Sequence, residues 1–226
     1  MNSDWFNTSL SKALLAQERI LVNTALENIF GDHLLQIGSW GEPGYFFTSA
    51  RSRNQNIVDI INEPGLAALV SFDRLPILTD SLDVVFLPHT LEFNSDPHTI
   101  LREVNRALRP DGQLITLGFN SFSVWGLRQY FSSGGFPPNV LRYISRGRLV
   151  DWLSLLNLSI DQINLISPVP LFSYNKQWLQ KLPGARAAYM IIATKKTIPL
   201  TNIRSRARKK TSLVRGFANP TTRNSE

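Results

Sequence analysis

The chain's 226 residues include 43% apolar and 18% charged side chains, with 24 Lys+Arg against 17 Asp+Glu, a formal charge of +7. That is enough apolar material for one substantial core and too little charge for a disordered chain. The absence of cysteine excludes disulfides, thiolate metal sites and thiol nucleophiles, and with only three histidines (His33, His89, His98) no metal centre is expected.

Residues 12–29 repeat apolar positions in steps of three and four (Leu14, Leu15, Glu18, Leu21, Val22, Ala25, Leu26, Ile29), and Gly31 follows as a stop, which predicts a helix. Residues 34–37 are a short apolar run ahead of a loop containing Gly38, Gly41 and Gly44, the pattern of a buried parallel strand. Weaker strand patterns cover 56–60 and 66–71. A clear strand, 83–87, is stopped by Pro88. Asp96 then supplies an N-cap and Pro97 a first helical residue, followed by the apolar stripe Ile100, Leu101, Val104, Ala107 and Leu108. Pro110-Asp111-Gly112 turns the chain into a strand at 113–119.

Residues 120–140 hold Gly134, Gly135, Pro137 and Pro138 and read as a loop with a short helix inside. Residues 148–156 are helical, and 159–166 and 187–194 form two final strands separated by prolines and a Pro183-Gly184 turn. Strands alternating with helices predict an α/β fold, a doubly wound, mostly parallel seven-stranded sheet with helices on both faces. The last two strands lack a long helix between them and suit an antiparallel addition at one edge. No segment reaches the roughly 18–20 apolar residues of a membrane-spanning helix, and the N-terminus lacks a signal peptide's basic start and apolar block. A soluble, cytoplasmic protein is expected.

Residues 195–226 carry nine positive side chains and one acid, a net +8, whereas residues 1–194 carry −1. The expected organisation is one domain over 1–194, with a helical segment at 1–31 and a lid or acceptor loop at 120–147, followed by a basic, disordered tail. Such a tail can make weak, salt-sensitive contact with nucleic acid, or remain simply solvated.

Open α/β sheets bind ligands at the carboxyl ends of their strands, which directs attention to the loop from Gly38 to Gly44. Its spacing is neither G-x-G-x-x-G nor a phosphate loop. The segment from Leu75 is more specific. It reads Leu-Pro-Ile-Leu-Thr-Asp-Ser-Leu-Asp83-Val-Val-Phe-Leu-Pro-His89-Thr-Leu-Glu92-Phe-Asn-Ser-Asp96-Pro97, then Ile100-Leu-Arg-Glu103-Val-Asn-Arg106-Ala-Leu-Arg-Pro110-Asp-Gly112. This resembles the class I S-adenosylmethionine-dependent methyltransferases of the small type 11 group. The resemblance spans about 50 residues in order and spacing, and extends more loosely from Leu34 to Thr194.

The resemblance implies a Rossmann-like methyltransferase domain that binds S-adenosyl-L-methionine and methylates an acceptor, either a small molecule or a nucleic acid. An alternative is a catalytically degenerate relative kept as an interaction module, with RNA as one candidate partner. The family's first motif falls on Gln36, Gly38, Trp40 and Gly41, where Gln36 replaces the usual acid and Trp40 a glycine. Asp59, or else Glu63, takes the position of the ribose-binding acid. Ser71, with Asp73 beside it, takes the position that contacts adenine. Pro88, His89 and Thr90 fall on the floor of the site, and His89 would face the methionine moiety or the acceptor. Glu92, Asn120, Trp125 and Arg128 would build the acceptor side, although Asn120 also suits a turn and Trp125 a packed core. Asp83 and Asp96 read as structural, and Glu103 with Arg106 as a packing or surface pair. Methyl transfer needs a general base only where the acceptor must lose a proton, so no catalytic residue is assigned.

Overall fold

Thr8 opens the long N-terminal helix: its hydroxyl accepts the Ser11 N–H at 3.2 Å, as N-cap threonines do. The computed structural model describes residues 3–62, 64–131, 136–167 and 186–196 and places helices α1 at Ser3–Phe6 and α2 at Ser9–Glu27. This cap starts α2 earlier than apolar periodicity alone predicts. Asp96 and Pro97 set the next helix where local chemistry puts it, α3 at Pro97–Ala107, with Asp96 accepting the Thr99 N–H at 3.1 Å. A short helix, α4 (Val124–Phe131), lies inside the predicted loop, and α5 (Arg146–Leu155) begins behind Ser145, whose hydroxyl accepts from the Arg148 N–H.

The strands are β1 (His33–Ile37), β2 (Asn54–Asp59), β3 (Ala68–Leu69), β4 (Leu82–Pro88), β5 (Leu108–Phe119), β6 (Leu158–Ile166) and β7 (Ala188–Lys195). They form a seven-stranded sheet in the order β3-β2-β1-β4-β5-β7-β6. Neighbours from β3 to β5 are parallel; β7 runs antiparallel to both β5 and β6. This is the α/β sheet expected from the alternation of elements, including the antiparallel edge. Its shortest member is β3, two exposed residues at one edge of the sheet. The Pro110-Asp111-Gly112 turn falls within β5. Leu82 pairs with Leu108 and Val84 with Gln113, so the residues between bulge out of the ladder.

Alternation along the strands sorts the core into two layers. Leu34, Val84, Phe86, Ile115, Leu117, Met190 and Ile192 face one side and pack with Leu14, Val22 and Leu26 of α2. Leu35, Ile37, Val85, Leu87, Leu114 and Ile191 face the other and pack with Ile100, Leu101 and Val104 of α3 and Leu149 and Leu153 of α5. Each such buried aliphatic or aromatic side chain contributes about 1.5–3 kcal/mol. Gly118 is fixed by this packing. A Cβ there would lie 2.5 Å from the Tyr189 ring, which crosses the strand to donate from its hydroxyl to the Ile144 carbonyl at 2.9 Å.

Chain order reverses direction in the sheet between β1 and β4, which places a crevice beyond their carboxyl ends. Glu63, Gly134 and Gly135, the 168–185 segment in which the sequence predicts a Pro183-Gly184 turn, and the tail from 197 onward lie outside the described residues.

Candidate functional site

The crevice is a cleft of about 310 Å³ walled by Gly38, Ser39, Asp59, Ile60, Ile61, Phe72, Pro88, Thr90, Phe93, Asn94 and Asn139. Its inner edge is the end of β1. Gly38 has φ +90°, a conformation that favours glycine, and a Cβ there would come within 2.8 Å of the Thr90 hydroxyl. Thr90 donates to the Ile37 carbonyl, and the Gly38 N–H donates to the Val58 carbonyl at 2.8 Å. The loop is thus fastened to both neighbouring strands.

Asp59 ends β2 and faces the cleft. Its Oδ2 accepts the Ser39 N–H at 2.6 Å, and its Oδ1 accepts the Ile60 N–H at 2.6 Å and the Ile61 N–H at 3.4 Å, so the spare acceptor capacity lies on Oδ2. Beside it, the Ser39 hydroxyl is buried without a hydrogen-bond partner. A carboxylate with spare acceptor capacity, an unpaired hydroxyl and the apolar flank of Ile60, Ile61 and Phe72 suit a ligand that carries hydroxyls next to a flat ring.

Behind the cleft floor lies a fully buried ionisable network. His89, with φ +56°, accommodates its ring between two carboxylates: Nε2 stands 2.8 Å from Glu18 Oε1, and Nδ1 stands 3.2 Å from Glu92 Oε2. The Trp40 indole N–H donates to the other Glu18 oxygen at 2.8 Å. The Phe119 N–H donates to Glu92 Oε1 at 2.8 Å, joined by the Ile144 N–H at 3.4 Å. All four carboxylate oxygens are therefore engaged. The imidazole also stacks on Phe119 with ring centres 4.0 Å apart. Burial pushes the imidazolium pKa down, but the charge and hydrogen bond of Glu18, reinforced by Glu92, outweigh it and raise it to about 9. Burial pushes the Glu92 carboxyl above the ordinary range against the opposing pull of His89. The network ties α2, the loop after β1, the end of β4 and the end of β5 into one frame behind the cleft.

Of the residues expected to hold a cofactor, Gly38, Asp59 and Pro88 line the cleft. Gln36 is buried, its amide donating to the Gly38 carbonyl at 2.9 Å, so it shapes the loop from behind. Trp40 turns away from the cleft into the core, against Phe6, His89, Phe93 and Phe119. Gly41 has φ +74° and lines a separate depression with Phe6, Lys12 and Tyr45. Ser71 and Asp73 bond to each other at the exposed surface, and Phe72 between them faces the cleft instead. His89 is wholly enclosed, so it supports the floor from beneath rather than facing a ligand.

The expected acceptor residues separate as well. Glu92 is buried in the network. The Asn120 amide donates to the Arg186 carbonyl at 2.8 Å and accepts the Phe122 N–H at 3.1 Å, a turn-stabilising arrangement. Trp125 packs edge-on to Trp5 and Phe136, with ring centres 5.7 and 5.1 Å away. Arg128 lies over Phe136 at 4.0 Å. Asp83 and Asp96 have the structural roles read from sequence. Asp83 accepts the Asp32 and His33 N–H groups at 2.7 and 2.8 Å, and Glu103 pairs with Arg106 at 3.0 Å.

Sequence reasoning also put Thr90 on the floor, where it lies, but missed Ser39, Ile60, Ile61, Phe72, Phe93, Asn94 and Asn139 in the cleft, and Glu18 in the network. Glu18 had left a signal, an acid within the apolar stripe of α2. The other residues carried none, since each is an ordinary loop residue until the strands bring their ends together.

Residues 49–116 match the family described as a methyltransferase domain, type 11. The chain is 34% identical over 190 residues to YafS, an uncharacterized protein of Escherichia coli strain K12, spanning 82% of this chain and 77% of that one. A SAM-dependent methyltransferase of Thermotoga maritima superposes with a TM-score of 0.60 at 19% identity, covering 85% of this chain and 94% of that one. Geranyl diphosphate C-methyltransferase of Streptomyces coelicolor, solved with Mg2+, geranyl diphosphate and S-adenosyl-L-homocysteine, gives 0.57 at 13% identity over 80% and 77%. At such identities the structural likeness is one of fold.

Proposed function

This chain belongs to the class I methyltransferases of the type 11 group, and on that premise we propose that it binds S-adenosylmethionine in the cleft and methylates an acceptor. The observation that carries this reading is the corner formed by Asp59 and Ser39. There a carboxylate at the end of β2, with acceptor capacity left on Oδ2, meets the buried, unpaired hydroxyl of Ser39 in the loop after β1. Asp59 Oδ2 and the neighbouring Ser39 hydroxyl suit the two adjacent hydroxyls of a ribose, and Ile60, Ile61 and Phe72 form an apolar slot for a purine. When bound, the cofactor supplies a sulfonium methyl, whose transfer depends on alignment and the exclusion of water.

The protein's part is to hold that alignment. Gly38 lets the backbone approach without a side chain in the way, Pro88 and Thr90 form the floor, and Asn94 and Asn139 offer polar groups at the rim. Gln36 gives up the negative charge found at this position in the family and braces the loop through Gly38 instead. Recognition of the cofactor's amino-acid end then falls to backbone carbonyls and neutral side chains.

Titrating S-adenosylmethionine and S-adenosylhomocysteine into the purified full chain by calorimetry tests the reading. Saturable binding that weakens at least tenfold in Asp59→Ala supports it. No heat of binding with either compound at millimolar concentration overturns it and leaves the fold as an interaction module.

A further inference from the structure

Among the described residues, α4 is anchored on one side only. Trp125 is buried against Trp5 and Phe136, and Gln129 donates to the Val140 carbonyl at 3.2 Å and accepts the Phe136 N–H, which fastens the helix to the segment that follows. Its outward side is apolar. Leu127 is 61% exposed, Tyr130 83% and Phe131 77%, with Phe122 just ahead of the helix at 82%. Val124 and Leu141 extend the same exposed apolar set. A single exposed leucine is unremarkable, but this many large apolar side chains on and around one short helix marks an interaction surface.

The stretch of chain that carries this surface has charge of one sign. From residue 112 to residue 150 there is no Asp or Glu, whereas Arg128, Arg142, Arg146 and Arg148 fall within that stretch. None of the four pairs with an acid among the described residues. Arg128 lies over the Phe136 ring, and Arg142 donates to the Ser95 carbonyl. Helices that settle into a lipid interface combine aromatic and aliphatic side chains with arginines that meet anionic headgroups. Nucleic acid would use the arginines and aromatic rings but would leave Val124, Leu127 and Leu141 in water. No helix among the described residues is long and apolar enough to cross a membrane, so contact of this kind lies on the surface of the bilayer.

We propose that the outer side of α4, with Phe122, Leu127, Tyr130 and Phe131 as the inserting residues and Arg128 and Arg142 as headgroup contacts, docks on an anionic lipid bilayer. Because β5 runs parallel to β4, the end of β5 from which α4 departs lies at the same edge of the sheet as the cleft. Docking therefore presents that edge to the membrane. The inference does not depend on methyl transfer and is tested without it.

The test is co-sedimentation of the full chain with vesicles of phosphatidylcholine alone and of phosphatidylcholine with phosphatidylglycerol. It is run for the natural sequence, for Leu127→Ser/Phe131→Ser, and for Arg128→Gln/Arg142→Gln. All substituted positions are exposed, and circular dichroism verifies the fold of each variant. The expected result is retention on the anionic vesicles only, falling at least fivefold in both double variants. No retention of the natural chain overturns the proposal. Retention unchanged in Leu127→Ser/Phe131→Ser overturns it in favour of the basic residues 195–226. A change in solution mass on substituting the apolar pair, without vesicles, overturns it in favour of a second copy of the chain. Parallel loss of binding to a single-stranded RNA, with vesicle retention intact, overturns it in favour of nucleic acid.

Discussion

Glu18 Oε1 lies 2.8 Å from His89 Nε2, joining two residues 71 positions apart at a place closed to solvent. One belongs to the N-terminal helix and the other follows β4, so this contact fixes the helix over the end of the sheet. With both side chains fully buried, neither charge has water to fall back on.

Replacing Glu18 with Ala leaves an imidazolium facing only Glu92 and strands the Trp40 indole N–H. The expected loss is about 3–5 kcal/mol, the range for breaking a buried pair by removing one partner. Urea unfolding of the variant checks it. A loss below about 1 kcal/mol would mean that the network contributes nothing net.

The same network sets a pH dependence. His89 has a pKa of about 9 in the folded chain against an ordinary 6.5, so its contribution is complete below about pH 6.5 and is lost as pH rises through 9. The shift corresponds to roughly 3 kcal/mol at most. Glu92, raised by burial, acts in the same direction at lower pH, stabilising while protonated and losing that contribution as pH rises through its raised value. Melting temperature should therefore fall between pH 6.5 and 9, and less steeply in Glu18→Gln, where the main cause raising the His89 pKa is gone. Equal slopes in the two proteins would refute the assignment.

Trp40→Phe separates scaffold from cleft. The ring volume is largely kept, but the N–H donated to Glu18 is lost, at an expected cost of about 1.5–3 kcal/mol for a hydrogen bond to a charged group. Because Trp40 faces the core, affinity for S-adenosylhomocysteine should change less than threefold. A large drop in affinity at unchanged stability would place the indole in the cofactor site.

Gly118→Ala tests the crossing of β5 by Tyr189. The added methyl group would sit 2.5 Å from the phenol ring, and overpacking of this kind costs about 1–3 kcal/mol or more. Thermal unfolding should show that loss, with partial recovery in Gly118→Ala/Tyr189→Leu.

Legibility in the sequence followed the range of the forces. The start of α3 was readable because Asp96 and Pro97 act on backbone groups within three residues of themselves. β4 was readable because a central strand must be apolar on both faces. β3 was only weakly readable, within the pattern at 66–71, since an edge strand of two residues leaves almost no pattern. The cleft was half legible: Gly38, Asp59, Pro88 and Thr90 stand at or just past strand ends, where any open α/β sheet gathers its ligand groups. Ser71 was placed one residue away from Phe72, the side chain that faces the cleft.

By itself the sequence determined the α/β class, the strands that alternate between two core layers, the caps and the family. Each rests on period, composition or contacts within a few residues. Tertiary structure alone decided what His89, Glu92, Trp40 and Asn120 do. A polar side chain at a strand end can face a ligand or satisfy a neighbour, and the choice depends on which partners arrive from distant segments. Glu18 arrives from α2 and the Phe119 N–H from β5, and with those partners in place His89 and Glu92 are closed inside the frame while Asp59 and Ser39 remain at the cleft.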